Sequence, residues 1–234
     1  MAFLKQKVKI TRVTKETLDT ATITMKGDAP FDFKPGQFVM VQLLGKETVP
    51  KRAYSISSSP TRNETLEITV KQMPDGWVSK LLNGVRAGDE MMVDGPYGHF
   101  VFDPEKMKSI VLLAAGSGIA PFRCFCQYIE DKKLGTKVHF VYSSKTEEDI
   151  IFRDTLKGFA KRNKNLSLLL TLTREEKEGY HSGRIDEEMV KDITKKNPGA
   201  FYFICGPPKM VAGTKALLEA AGIPKEGIKV EIYG

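Results

Sequence analysis

The first part of the chain, residues 1–102, consists of short segments in which apolar and polar residues alternate. A period of two is typical of strands with one buried face, and pairs such as Pro35-Gly36 and Gly95-Pro96 mark turns between the segments. One helix is predicted near Val78–Leu82. Many short strands at this spacing predict an antiparallel β-barrel. The predicted strands are Val8–Ile10, Ala21–Met25, Phe38–Gln42, Leu66–Val70 and Glu90–Val93.

From Ser109 onward the pattern changes to continuous apolar runs that alternate with helix-length segments. Such runs fit strands that are buried on both faces, and a strict alternation of strand and helix predicts a doubly wound parallel sheet. The predicted strands are Ile110–Ala115, Lys137–Tyr142, Leu166–Leu172, Ala200–Cys205 and Ile228–Tyr233, and the predicted helices are Phe122–Lys132, Glu147–Arg162, Asp186–Lys196 and Pro208–Ala221. We therefore predict two domains, residues 1–102 and 103–234, that join near Phe102-Asp103-Pro104.

Composition narrows the class of protein. The net charge of +7 is shared by both halves, which argues against a nucleic-acid patch and fits either a solvated surface or docking of an acidic protein. No apolar run has the length of a signal peptide core or a transmembrane helix. Three cysteines provide no disulfide framework, zinc site or four-cysteine iron–sulfur cluster. We expect a cytoplasmic protein without a metal centre, membrane insertion or nucleic-acid partner.

The segment Arg52-Ala53-Tyr54-Ser55 carries three kinds of chemistry that suit a flavin cofactor. The guanidinium of Arg52 can bind a pyrophosphate through two hydrogen bonds, the ring of Tyr54 can cover a flat heterocycle, and the hydroxyl of Ser55 can reach a ring nitrogen. On an extended segment Arg52 and Tyr54 share one face and Ser55 points to the other. The alternative is an ordinary surface edge strand.

The turn Gly116-Ser117-Gly118-Ile119-Ala120-Pro121 follows the first apolar strand and opens a helix. At such a turn the pyrophosphate of a dinucleotide binds backbone N–H groups. The usual fingerprint has glycine at the sixth position, whereas here Pro121 occupies it. Proline suits the first turn of a helix, so the segment predicts a variant nucleotide turn; the alternative is a plain strand–helix connection.

Residues at the ends of the second and third predicted strands of the parallel sheet bear on the choice of nucleotide. An NAD site usually has an acid after the second strand, but this chain has Ser144 and Lys145, with no acid before Glu147. The third strand ends at Thr173-Arg174, and Arg184 follows a polar loop. These hydroxyls and cations suit a 2′-phosphate and favour NADP(H) over NAD(H); the alternative is a group of ordinary loop cations.

The segment Cys205-Gly206-Pro207-Pro208 follows the fourth strand of the parallel sheet, at the edge where ligands of such folds bind. Glycine permits close backbone approach. Cys205 is either part of this site or a small buried thiol. Hydrolase chemistry has no support, because the three histidines of the chain are scattered among unrelated segments.

Taken together, these segments resemble the ferredoxin–NADP reductase family along essentially the whole chain. Arg52–Ser55 is similar to the family's Arg-x-Tyr-Ser flavin motif, and Gly116–Pro121 to its Gly-x-Gly-x-x-Pro turn. The C-terminal Val230–Tyr233 is similar to the plant-type ending, in which an acid and an aromatic ring lie against the flavin. The resemblance implies catalytic roles for Ser55, Cys205, Glu231 and Tyr233. It implies cofactor binding by Arg52, Ala53, Tyr54, Ser55, Val70, Lys71, Gly76, Trp77, Val78, Ser79, Gly116, Gly118, Pro121, Ser144, Lys145, Thr173, Arg174, Tyr180, Arg184, Cys205, Gly206, Pro207 and Tyr233.

The resemblance also implies an activity: hydride transfer between NADP(H) and FAD, rather than FMN, followed by one-electron exchange with an acidic carrier such as ferredoxin or flavodoxin. Alternatives are a free flavin reductase, the reductase subunit of a larger oxygenase or dehydrogenase complex, and a non-catalytic flavin-binding regulatory subunit. Two departures stand out. Gly234 follows the aromatic residue that ends plant-type chains, and the cysteine cluster of members with a fused iron–sulfur domain is missing.

Overall fold

The structure is a computed structural model that describes residues 4–45 and 48–233. Its first sheet contains six antiparallel strands in the order β4-β3-β6-β1-β2-β5, and an isolated bridge between Ile56 and Ile68 joins the segment after β4 to β5. The predicted antiparallel, barrel-like fold is therefore confirmed. The elements are β1 (Leu4–Thr17), β2 (Thr20–Gly27), β3 (Phe38–Leu43), β4 (Arg52–Ser55), β5 (Leu66–Lys71), α1 (Trp77–Asn83) and β6 (Glu90–Tyr97).

The second sheet contains six parallel strands in the order β10-β9-β8-β7-β11-β12, which confirms the predicted doubly wound sheet. The strand order reverses between β7 and β11, and in open sheets of this kind ligands bind at that reversal, beyond the carboxyl ends of the strands. The elements are β7 (Ser109–Ala115), α2 (Ala120–Asp131), β8 (Lys137–Ser144), α3 (Arg153–Arg162), β9 (Leu166–Leu172), β10 (His181–Ser182), α4 (Glu187–Lys196), β11 (Phe201–Gly206), α5 (Pro208–Ala220) and β12 (Ile228–Ile232).

Burial explains why both sheets form where they do. In β3 every second residue, including Val39 and Val41, is buried, as a barrel strand with one wet face requires. In β7 the run from Ile110 to Ala114 is fully buried, as a parallel strand covered on both faces requires.

The predicted helix Glu147–Arg162 is wrong in its first part. A short 3-10 helix covers Glu147–Asp149, and α3 begins only at Arg153. Phe152, just before it, has a left-handed backbone with φ of 61°, which ends any continuous helix because an α-helix needs negative φ. The burial of Ile150 and Phe152 holds this connection in place.

The described residues form two compact units. The first runs up to Phe102 and includes Arg123–Lys132, and the second comprises Asp103–Phe122 and the described chain from Lys133 onward. The later turns of α2 thus belong to the first unit, although they follow the glycine turn in sequence. No helix within residues 4–45 and 48–233 is long and apolar enough to cross a membrane.

Candidate functional site

In the first unit, β4 presents the side chains that the sequence assigns to a flavin. Arg52 and Tyr54 pair with Val41 and Val39 of β3. Arg52 is exposed, and its Nη1 atom donates to the carbonyl oxygen of Lys51 at 3.1 Å. Tyr54 is half-buried, and burial raises the pKa of its phenol to about 12, although the charge of Arg52 acts in the opposite direction. The strand therefore offers a guanidinium and a neutral aromatic ring on one face, while Ala53 between them is exposed and Ser55 is buried.

The residues Gly76–Ser79, for which the family resemblance implies cofactor binding, form a braced loop at the start of α1. The Ser79 hydroxyl donates to the Gly76 carbonyl oxygen at 2.8 Å and accepts from the Met73 N–H at 3.0 Å. The side chains of Val70 and Val78 are buried in the barrel core. Only the backbone of these two valines is therefore available to a ligand, and cofactor binding by Ser79 stays a prediction.

Two further side chains of this segment differ in their surroundings. Lys71 forms an ion pair with Asp19 at 2.7 Å. Trp77, the first residue of α1, is 53% exposed, and the sequence contains no other tryptophan. An exposed indole beside a predicted cofactor loop is a large apolar surface, and a ligand bound there would bury it.

In the second unit, the glycine turn and the Cys205 segment meet at the reversal of strand order. A Cβ atom on Gly118 would lie 2.2 Å from the carbonyl oxygen of Cys205, so only glycine fits there. Gly116 has a left-handed backbone with φ of 54°, and a Cβ on it would meet nothing within 4 Å. Pro121 lies in the first turn of α2. The turn is therefore closed on its inner side and open above Gly116, where a phosphate can approach the backbone.

A buried phenol holds this turn from below. The Tyr142 hydroxyl donates to the carbonyl oxygen of Gly116 at 3.0 Å and accepts from the Ile151 N–H at 3.4 Å. Tyr142 is fully buried. One side chain of β8 thus connects the glycine turn to the segment that precedes α3.

Cys205 is buried at the end of β11, next to β12. It pairs with Glu231, and the N–H of Tyr233 donates to the carbonyl oxygen of Gly206 at 2.9 Å. Burial and the nearby charge of Glu231 raise the pKa of the thiol well above its ordinary value, although a hydrogen bond with the Tyr233 side chain lowers it. Cys205 is therefore a neutral thiol rather than a nucleophilic thiolate. Gly234 lies outside the described residues.

The residues predicted for a 2′-phosphate come together at the carboxyl ends of β8 and β9. The N–H groups of Thr173 and Arg174 donate to the carbonyl oxygens of Ser144 and Lys145 at 3.0 and 2.9 Å. The Lys145 and Arg174 side chains are exposed, and across the described part of the chain neither forms an ion pair. Arg184, also exposed, follows shortly after β10, which pairs with β9.

A charged cluster that sequence reasoning missed surrounds Glu147 at this edge. The Glu147 carboxylate accepts from the Tyr180 hydroxyl at 2.6 Å, contacts Lys177 and lies 3.4 Å from Arg153. Tyr180 also receives a hydrogen bond from Lys157 at 3.2 Å. The only sequence signal was that Glu147 is the first acid after β8. Lys177 and Tyr180 approach it from the loop after β9, which no local pattern could indicate.

These features fit two nucleotide-containing groups. The glycine turn leaves open space above Gly116, where a Cβ would meet nothing within 4 Å. The hydroxyl oxygens of Ser144 and Thr171 are buried without a hydrogen-bond partner in the described structure, and such atoms indicate polar groups that a ligand or water must satisfy. Arg52 and Tyr54 offer charge and an aromatic face to a flavin.

Comparison with known families finds a different family model for each of two parts of the chain. A family model described as an oxidoreductase FAD-binding domain matches residues 7–102, and one described as an oxidoreductase NAD-binding domain matches residues 112–216. The chain belongs to the ferredoxin–NADP reductase family. Members of this family are oxidoreductases, and its flavin and NAD(P) domains account for the barrel-like and parallel sheets respectively.

Individual relatives of this chain include reductase components of monooxygenases. It is 29% identical over 231 residues to the reductase component of propane 2-monooxygenase from Mycolicibacterium goodii, covering 95% of this chain and 66% of that protein. It is 32% identical over 234 residues to the glycine betaine monooxygenase reductase subunit of Pseudomonas aeruginosa, covering 97% of this chain and 64% of that one. The chain thus spans slightly less than two thirds of the length of these relatives.

Among solved structures of the family, a ferredoxin–NADP+ reductase from Neisseria gonorrhoeae with bound FAD and NADP superposes with a TM-score of 0.83. The two sequences are 26% identical, and the match covers 99% of both chains. The resemblance to ferredoxin–NADP reductases that the motifs indicated is therefore confirmed for the fold and the family.

Proposed function

We propose that this chain binds FAD and NAD(P)H and passes reducing equivalents between the nucleotide and a separate redox protein. The observation that carries the proposal is the meeting of the Gly116–Pro121 turn with Cys205 at the strand reversal, in a chain whose first unit belongs to a flavin-binding family. FAD supplies the chemistry when bound: it exchanges a hydride with NAD(P)H and electrons with one-electron carriers.

On the flavin side, the protein supplies charge, shape and hydrogen bonds. Arg52 neutralises the pyrophosphate, Tyr54 packs along the flat ring system, and Ser55 provides a hydroxyl near its reactive edge. The backbone of Val70, Lys71 and the Gly76–Ser79 loop binds the remaining phosphate oxygens. The exposure of Arg52 and the half-burial of Tyr54 support these roles, since a binding group must be both reachable and held.

On the nucleotide side, the backbone of Gly116 and Gly118 receives the pyrophosphate. Cys205 and Gly206 line the nicotinamide position, and the neutral thiol of Cys205 positions the ring without attacking it. Glu231 lies beside Cys205 in the strand pairing. Tyr233 occupies the nicotinamide's place until the nucleotide displaces it, as the family resemblance implies.

We propose that NADPH is preferred over NADH. The three exposed cations Lys145, Arg174 and Arg184 near the ends of β8, β9 and β10 support this choice, because guanidinium and ammonium groups bind phosphate oxygens strongly. One relative, from Lodderomyces elongisporus, is by contrast an NADH-cytochrome b5 reductase. The preference is tested by steady-state kinetics with both nucleotides, and equal or better use of NADH would reject it.

The electron acceptor is a protein with an acidic docking face. The basic net charge of +7 supports this choice. Two acceptors are candidates: a small carrier such as ferredoxin or flavodoxin, and the oxygenase component of a multicomponent system. The names of the monooxygenase reductase relatives favour the second.

An anaerobic absorbance titration tests the central proposal. The purified protein should be yellow, and NADPH should bleach its flavin absorbance. A colourless protein that takes up neither FAD nor FMN rejects the proposal. Bound flavin that neither NADPH nor NADH reduces identifies instead a non-catalytic flavin-binding subunit.

A second measurement separates the acceptors. Turnover rates are compared with ferredoxin, flavodoxin, an oxygenase component and free flavin, each at low and high salt. Docking on a basic surface predicts that rates with a protein acceptor fall as salt rises. Turnover with free flavin alone identifies a free flavin reductase and rejects the protein acceptor.

A further inference from the structure

The Glu147 carboxylate lies in a surface connection between β8 and α3, yet several hydrogen bonds and ion pairs fix its position. It accepts from the Tyr180 hydroxyl, contacts Lys177 and lies within ion-pair distance of Arg153. Its own N–H donates to the Glu175 carboxylate at 2.7 Å. Its side chain is only 19% exposed. These contacts fix a negative charge in one place, because both its side chain and its backbone are constrained.

That charge is permanent under physiological conditions. The hydrogen bonds from Lys177 and Tyr180 lower the pKa of Glu147 to about 2, and the charges of Lys177 and Arg153 act in the same direction, against a smaller opposing effect of burial. The carboxylate is therefore ionised throughout the neutral range.

Its position matters because of what adjoins it. Glu147 is the third residue after the end of β8, and Lys145 is the first. The N–H of Arg174 donates to the carbonyl oxygen of Lys145 at 2.9 Å. In sheets of this type the ribose next to the adenine lies at the end of this strand. A carboxylate there accepts a hydrogen bond from a 2′-hydroxyl and repels a 2′-phosphate.

Glu147 acts against a 2′-phosphate in a second way. It engages Lys177 and brings Arg153 within 3.4 Å, so two nearby cations are already compensated. The exposed cations Lys145, Arg174 and Arg184, by contrast, form no ion pair within residues 4–45 and 48–233. Both effects weaken the binding of a 2′-phosphate, because the carboxylate repels it and the compensated cations attract it less.

We infer that Glu147 is a specificity-determining residue. Its charge reduces the preference for NADPH over NADH below the preference that the surrounding cations would produce without it. The inference rests on the proposed function for the identity of the nucleotide. It differs from a purely structural role, in which Glu147 would only brace the loop that carries Lys177 and Tyr180. A brace affects both nucleotides alike, whereas a charge acts on the one with the extra phosphate.

The test compares Glu147→Gln with Glu148→Gln in the purified flavin-loaded protein. Glu148 is the exposed neighbour, and its side chain makes no ion pair or hydrogen bond within residues 4–45 and 48–233, so the control changes the net charge equally. Binding of 2′,5′-ADP and of 5′-ADP is measured by calorimetry. Glu147→Gln should raise the ratio of the two affinities by about tenfold, and Glu148→Gln by less than about twofold.

Three outcomes overturn the inference: an unchanged ratio, an equal change in both variants, or a parallel loss of affinity for both ligands. Lys177→Met provides an independent variant with the opposite expectation. It leaves the carboxylate charged and less compensated, so 2′,5′-ADP should bind about threefold more weakly relative to 5′-ADP. A rise in that ratio contradicts the inference even if Glu147→Gln does not fold.

Kinetics distinguish failure of the inference from failure of the proposed function. If the parent protein oxidises neither NADPH nor NADH, the proposed function is wrong. The binding ratios still decide the role of Glu147, because they need no turnover. If the parent oxidises both, the kcat/KM ratio of NADPH to NADH should shift with the binding ratio in each variant.

Discussion

The edge strand β4 and the carboxyl edge of the parallel sheet present binding groups in different ways. On β4 the candidate ligands are side chains, Arg52 and Tyr54, whose direction follows from strand alternation. At the sheet edge they are mainly backbone atoms of glycine turns, arranged by contacts such as that between Gly118 and Cys205. A side-chain site can therefore be changed gradually by substitution, whereas a backbone site tolerates a residue or does not.

The two regions also differ in how they are supported. Glu67 of β5 fixes the segment after β4. Its carbonyl oxygen accepts from the Ser57 N–H at 2.8 Å, and its carboxylate accepts a hydrogen bond from the Arg123 guanidinium. Arg123 also donates to the Ser57 carbonyl oxygen at 2.9 Å. The Glu67–Arg123 pair is 2.6 Å long, with side chains only 10% and 15% exposed. The sheet edge has no comparable buried ion pair among the described residues, and a buried phenol, Tyr142, supports it instead.

The largest expected effect follows from removing this ion pair. Burial alone would raise the pKa of Glu67, but the charge and hydrogen bond of Arg123 and the hydrogen bond of Thr24 outweigh it, so the pKa is lowered. Glu67→Gln should reduce the free energy of unfolding at pH 7 by roughly 3 kcal/mol, because it leaves Arg123 buried without its counter-charge. Urea unfolding measures this loss, and exposed Glu64→Gln serves as the control.

The same pair predicts a pH dependence of stability. A carboxyl whose folded pKa is lowered stabilises the protein fully above its unfolded pKa, about 4.3 for glutamate, and this stabilisation disappears as the pH falls through the lower folded value. The difference in unfolding free energy between the parent and Glu67→Gln should therefore shrink below about pH 4. A constant difference from pH 7 to pH 3 would contradict the role given to Glu67.

The next effect concerns the backbone site. Gly118→Ala places a methyl group 2.2 Å from the Cys205 carbonyl oxygen, so the turn must move, and we expect the affinity for 2′,5′-ADP to fall roughly 100-fold. Calorimetry measures it. Gly135→Ala is the control, because its Cβ would meet nothing within 4 Å. Affinity within threefold of the parent in Gly118→Ala would show that the turn tolerates a side chain.

A smaller, graded effect is expected at the side-chain site. Arg52→Ala should weaken FAD binding about 20-fold, because a charge-assisted hydrogen bond is lost. Arg52→Lys should weaken FAD binding by less than Arg52→Ala does, since lysine keeps the charge and loses only the planar fork. Flavin fluorescence on dissociation measures the affinity, with exposed Arg86→Ala as the control. Equal losses in Arg52→Ala and Arg52→Lys would contradict the gradual behaviour proposed for β4.

The smallest effect concerns Trp77. If the indole contacts the cofactor, FAD should quench the tryptophan fluorescence of the protein, all of which comes from Trp77. Trp77→Ala should also weaken FAD binding about fivefold. Reconstitution of the flavin-free protein measures both quantities. Quenching by FAD without any loss of affinity in Trp77→Ala would show that the indole is near the flavin and does not bind it.

Sequence patterns predicted the elements that have a clear periodicity or composition. The apolar run of β7, the glycine turn and the Arg52–Ser55 strand all carry their information locally. The two-residue strand β10 was missed because His181 and Ser182 are exposed and too few to show alternation. The left-handed Phe152 was missed because nothing in the side chain of phenylalanine indicates positive φ.

The candidate site was predicted where residue type alone suggests chemistry, as for Arg52, Arg174 and Cys205. The contacts of Glu147 could not be predicted, because Lys177 and Tyr180 approach it from a loop whose path depends on tertiary packing. The same holds for Ser79, whose hydroxyl already bonds within its own loop. Patterns identify which residues are available, and packing decides what each one contacts.

The contact between Gly118 and Cys205 has a consequence for protein engineering. The space beside residue 118 is filled by main-chain atoms of a segment distant in sequence, so the two turns form one steric unit. At position 118, a library that randomises the glycine turn alone samples only side chains for which no room exists. A side chain at position 118 therefore requires simultaneous remodelling of the chain around Cys205.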